Sequence, residues 1–159
     1  MNDLIILFLL ILINGFFSMA EIALVSARKP RLEGQANKGD LRAKRALTLA
    51  QHPDSFLSTV QIGITVIGIF TGIFSGDRIV DDFESYFQFN HPISAYSNEL
   101  STVAVVIVIT FFSLVFGELI PKRIGLSNPE GIAKSVAGPM LFISRVVHPF
   151  VWLLSKTST

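Results

Sequence analysis

Asn14, Ser18 and Glu21 are spaced i, i+4 and i+7, and Thr110, Ser113 and Gly117 are spaced i, i+3 and i+7, with Glu118 following. On a helix this spacing gathers each set on one face. Between them in the chain, Gln61, Thr65, Gly68 and Gly72 form the second stripe, which Gly76 extends. Three helices that turn such stripes toward one another would surround a small space with oxygen atoms. Hard cations, Mg²⁺ and by analogy Na⁺, take oxygen ligands of this kind.

Glu118 is the sharpest of these signals, because Pro121 follows it. A proline inside a helix cannot donate to the carbonyl four residues earlier, here that of Gly117, so a bare carbonyl and a carboxylate stand side by side. The blander reading of Glu118 is an acid paired with Lys122 one turn on, and of Glu21 an acid reaching water or Arg28. The glycines of the second stripe serve equally well for close helix packing. Serine and threonine in apolar helices often bond back to their own backbone. His52, His91 and His148 each stand beside a proline with no metal-ligand spacing, no nucleophile has a base at a suggestive spacing, and cysteine is absent. These residues do not describe an enzyme.

The elements that must hold these residues are apolar. Half of the 159 residues are hydrophobic and only 16% are charged, against roughly 25% in soluble domains. The 13 Lys and Arg are nearly balanced by 12 Asp and Glu, which leaves no basic footprint for nucleic acid. Three stretches, at about 4–26, 55–76 and 100–120, are apolar over the roughly 20 residues needed to cross a bilayer. We read an all-α integral membrane domain over 1–159. Its first span is not a cleaved signal peptide, since Met1, Asn2 and Asp3 supply no basic start.

Orientation follows from the loops. Arg28, Lys29, Arg31, Lys38, Arg42, Lys44 and Arg45 lie between the first two spans, whereas Asp77, Asp81, Asp82, Glu84 and Glu99 dominate between the second and third. The positive-inside rule then places 27–54 and 122–159 in the cytosol and the N-terminus outside. Within the first loop, 41–51 reads as an amphipathic helix with Leu41, Leu47 and Ala50 on its apolar side. Residues 130–155 are interrupted by Lys134, Pro139, Arg145, His148 and Pro149, and read as broken juxtamembrane helices rather than a fourth span.

Asn14-Gly15-Phe16-Phe17-Ser18-Met19-Ala20-Glu21, Thr59-Val60-Gln61-Ile62-Gly63 and Phe116-Gly117-Glu118-Leu119-Ile120-Pro121-Lys122 resemble the transmembrane domain of the CNNM/CorC family of magnesium transporters, including its hemolysin-like bacterial branch. The resemblance covers nearly the whole chain. It implies a homodimer in the inner (plasma) membrane, with a cytosolic belt of juxtamembrane helices and Na⁺-linked Mg²⁺ export. It further implies a longer protein, in which nucleotide-binding CBS domains follow this chain.

The resemblance assigns Ser18 and Glu118 to Mg²⁺, with the Gly117 carbonyl as neighbour; Asn14, Glu21, Gln61, Thr65 and Ser113 are further candidates. In the second helix, where Mg²⁺ transporters of the family tend to carry an asparagine, this chain has Ile64, Thr65 and Gly68. Three readings follow. A divalent-cation transporter leads, a diamine exporter for cadaverine or putrescine is the first alternative, and a membrane scaffold or sensor without transport is the second.

Overall fold

A computed structural model describes residues 2–74 and 97–157. Gly76, the acidic residues from Asp77 to Glu84 and His91 lie outside this range. The described residues are helical throughout, apart from short joints, and contain no strand. In chain order the helices are α1 (Asn2–Ser26), α2 (Lys29–Asn37), α3 (Leu41–Gln51), α4 (Pro53–Phe74) and α5 (Ser97–Leu114). A wide π turn (Val115–Leu119), α6 (Ile120–Ser127) and α7 (Pro129–Thr157) follow.

Three segments, Leu4–Ser26, Pro53–Phe74 and Thr102–Ser127, are long and apolar enough to cross a membrane. Their large side chains, among them Ile5, Phe8, Ile69, Ile73, Val103 and Ile107, are exposed, as expected where lipid rather than water is the solvent. The chain is a multi-pass, all-α membrane protein. The third span runs past the predicted 120 to Ser127, because the π turn carries the helix through Pro121.

α1 is the hub, packed against α4, the π turn, α6 and α7. The main core lies at the basic end of the spans rather than at their middle. There Ala20, Leu24 and Ala27 of α1, Leu32 of α2, Ala46 and Leu49 of α3, Phe56 and Val60 of α4, and Ala133, Val136, Ala137 and Met140 of α7 are buried together. A smaller cluster, Leu7, Ile11 and Val105, joins α1 to α5.

Helix α3 has the predicted limits but a different buried face: Ala43, Ala46, Leu49 and Ala50 are buried, while Leu41 is exposed. The small alanines let α3 approach α7 closely, which leucine on that face would prevent. α2 forms within the basic stretch that the sequence marks only as a loop. Pro30 starts it at a position where its missing N–H costs nothing, and Leu32 is its one buried anchor.

α7 corrects the expectation of broken helices, for it is continuous through Pro139 and Pro149. Both prolines are exposed, as are Ser135 and Arg145, whose carbonyls lose their α-helical donors. Carbonyls on an exposed side are free to find other partners, so the helix survives. Thr59, buried in α4, donates to the Ser55 carbonyl at 2.8 Å and lies 3.3 Å from the Ser144 hydroxyl, tying α4 to α7.

Asp40 fixes the turn between α2 and α3. Its carboxylate accepts from the backbone N–H groups of Arg42 and Ala43 at 2.9 and 3.1 Å, capping α3, and holds the Lys134 ammonium of α7 at 3.1 Å. The Ala43 N–H and the Lys134 ammonium hold its pKa below the ordinary 3.8. A depressed carboxyl pKa contributes stability that is present above the unfolded value and lost as pH falls through the folded one. Thermal melts in detergent are expected to show Asp40→Ala lowering the midpoint at pH 7, with the difference from wild type shrinking below about pH 4. An equal difference at pH 7 and pH 3 would contradict this role.

Candidate functional site

Asn14 and Gly117 meet where α1 crosses the π turn. Gly15 faces that turn, and a Cβ there would lie 2.8 Å from the Pro121 ring and 2.9 Å from the Phe116 carbonyl oxygen. Only glycine permits this approach. Further along the same seam Gly125 sits against Ile22 and the backbone of Met19, so Gly117, Pro121 and Gly125, each four residues apart, form the small-residue track on which α1 lies. Helical spacing in the sequence points instead to the glycines of α4, because Gly117, Pro121 and Gly125 gain their meaning only from the crossing with α1.

The π turn closes with the Ile120 N–H donating to the Val115 carbonyl. Such a widened turn accommodates a residue that breaks the regular ladder, and it often marks functional positions. The Gly117 carbonyl, which Pro121 cannot serve, accepts instead from the Asn14 side-chain amide at 3.1 Å. Gly117 is buried. Asn14 and Gly117 are thus brought together across two spans, as the spacing of their stripes suggests.

Glu118 projects beside this junction and pairs with Lys122 at 2.6 Å, both side chains being about two-fifths exposed. Ser18, one turn beyond Asn14, is buried with 3% exposure and makes no hydrogen bond with Glu118. Glu21 is partly exposed and, among the described residues, has no ion-pair partner, Arg28 included. Any cation reaching Glu118 must compete with the Lys122 ammonium for the same carboxylate.

The second stripe does not turn inward as a whole, and of its described members Gly68 alone borders the cleft between the spans. Gln61, Thr65, Gly68 and Gly72 are exposed along α4, and Thr65 donates to the Gln61 carbonyl at 2.8 Å. The face that α4 presents inward carries Phe56, Val60, Gly63 and Ile67, with Gly63 held against the Phe17 ring. Thr110 is exposed as well, whereas the Ser113 hydroxyl is buried. A cleft of about 230 Å³ opens between the three spans, lined by Ile11, Asn14, Ile64, Ile67, Gly68, Thr71 and Ser113. Thr71 was not singled out from sequence, since it lies off the stripe chosen for α4. Among the described residues no group of three or more His, Cys, Asp or Glu is placed to hold a metal ion.

Three spans, a π turn pinned by an intramembrane asparagine and a belt of amphipathic helices define a multi-pass membrane domain with polar groups gathered between its helices. The Cyclin M transmembrane N-terminal domain model matches residues 4–159, and the chain belongs to this CNNM family. It is 47% identical over 156 residues to a UPF0053 protein of Synechocystis sp., covering 98% of this chain and 35% of that one. It is 35% identical over 155 residues to a polyamine export protein of Salmonella typhimurium, covering 98% and 34% of the two chains. With a polyamine export protein of Haemophilus influenzae it shares 37% over 143 residues, covering 90% and 33%. The chain spans about a third of the length of these curated relatives.

Proposed function

We propose that this chain is the membrane domain of a cation exporter, with Mg²⁺ as the leading cargo and Na⁺ as the coupling ion. The observation that carries the reading is the junction at Gly117 and Glu118, where a π turn places a carbonyl without its helical donor next to an intramembrane carboxylate. Ser18, Glu118 and the Gly117 carbonyl are the proposed Mg²⁺ ligands, and Asn14 guards the carbonyl when no ion is present. Glu21, at similar depth on α1, adds negative charge. Gln61 and Thr65, exposed on α4, would join such a site only across an interface with a second copy. Gly68 and Gly72, also exposed and with open space where a Cβ would sit, suit that face to a homodimer. In this reading the domain lies in the inner membrane with the basic belt in the cytosol, and CBS domains complete the protein.

Diamine export is the second reading. It is favoured by the polyamine export proteins among the relatives and by the mixed apolar and polar lining of the cleft. Calorimetric titration of Mg²⁺ and of cadaverine into the purified full-length protein separates the two. The Mg²⁺ reading expects saturable Mg²⁺ binding that Glu118→Gln removes; saturable cadaverine binding with none for Mg²⁺ would replace it.

A further inference from the structure

We infer that the cleft between the three spans binds a dehydrated, singly charged cationic head, either Na⁺ or a primary ammonium, through neutral oxygens of Asn14, Thr71 and Ser113. This rests on the proposal that the protein binds cations, and not on which cargo it exports.

Each span contributes one oxygen to the cleft, and each oxygen is left over by its local structure. The Ser113 hydroxyl is buried with no hydrogen-bond partner among the described residues. The Gly117 carbonyl can only accept, so the Asn14 amide nitrogen must face it, and the Asn14 side-chain oxygen remains as a spare acceptor. The hydroxyls of Thr59 and Thr65 bond back to Ser55 and Gln61, one turn earlier on α4. That of Thr71 makes no such bond to a described residue. Buried polar atoms are normally satisfied, so the unpartnered Ser113 hydroxyl, facing the same cleft as the spare Asn14 oxygen and the Thr71 hydroxyl, leaves a place that a cation would fill.

Charge selects the class. No Asp, Glu, Lys or Arg lines the cleft. The cost of dehydrating an ion rises with the square of its charge, while its attraction to fixed neutral dipoles rises only in proportion. Neutral oxygens therefore favour a single charge over Mg²⁺, which needs the carboxylate of Glu118. The volume of about 230 Å³ is well above the roughly 10–15 Å³ that one water needs. Ile11, Ile64 and Ile67 supply the apolar wall along which the methylenes of an amine would lie.

The test uses full-length wild type, Thr71→Val and Ser113→Ala, two substitutions close to isosteric, with thermal midpoints as a check on folding. NaCl, putrescine and MgCl₂ are titrated into each. The expected result is that Na⁺ or putrescine binding weakens at least about fivefold in both variants, with Mg²⁺ affinity within about twofold of wild type; the ligand that responds identifies the head. Unchanged Na⁺ and putrescine binding, or an equal loss of Mg²⁺ binding, would overturn the site alone. A wild type that binds none of the three would overturn both this site and the proposed function.

Discussion

Gly15→Val is expected to destabilise the domain by about 1–3 kcal/mol or more, the usual cost of overpacking a tight contact. The Cβ meets a proline ring carbon at 2.8 Å and a backbone carbonyl oxygen at 2.9 Å, and neither is the end of a flexible side chain. α1 would have to move off the π turn, taking Asn14 away from Gly117. Gly15→Ala makes the same contact but gains up to ~1 kcal/mol in helix propensity, so its net loss is smaller. Gly34→Ala on α2, where nothing lies within 4 Å, is the matched control and should stabilise by about 0.4–1 kcal/mol. Equal midpoints for Gly15→Val and wild type in detergent melts would mean that the seam is not the close contact described.

Glu118→Gln should reduce cation binding and transport by about tenfold to a hundredfold, as expected for loss of a charge-assisted contact, while leaving the midpoint nearly unchanged. The stability effect is small because the carboxylate is substantially exposed and its pair with Lys122 is of the i, i+4 kind, worth only tenths of a kcal/mol. Ser18→Ala should cost a similar factor in binding. If the two residues share one ion, the double variant costs little more than either single one. Additive losses would assign them separate roles.

The three spans were legible because the length of an apolar run reports directly on the thickness it must cross. The limits of α3 were legible from its amphipathic pattern and the proline that follows. Direction was less accessible. Periodicity says that Gln61, Thr65, Gly68 and Gly72 share a face of α4, but not whether that face meets α1 or the outside; the answer depended on Phe17 seating against Gly63. α2 has a single buried anchor and so no apolar period to read. The continuity of α7 was hidden because a proline signals a missing hydrogen bond but not whether the orphaned carbonyl lies on an exposed side. At the junction, Pro121 pointed to the Gly117 carbonyl. That Asn14 would be its donor needed the crossing of two helices distant in sequence.

Energetics set the decisive experiment. Moving one charge against 100 mV costs about 2.3 kcal/mol, so expelling Mg²⁺ from a negative interior costs about 4.6 kcal/mol per 100 mV before any gradient is counted. Inward movement of Na⁺ is the proposed source of that energy, and two Na⁺ replacing one Mg²⁺ leaves the charge of the site unchanged. The most direct measurement is Mg²⁺ efflux from vesicles bearing the full-length protein, at fixed membrane potential, with external Na⁺ or with choline in its place. Efflux is expected to need opposing Na⁺ and to stop in Glu118→Gln. Efflux of equal rate in choline, or undiminished in Glu118→Gln, would contradict this expectation.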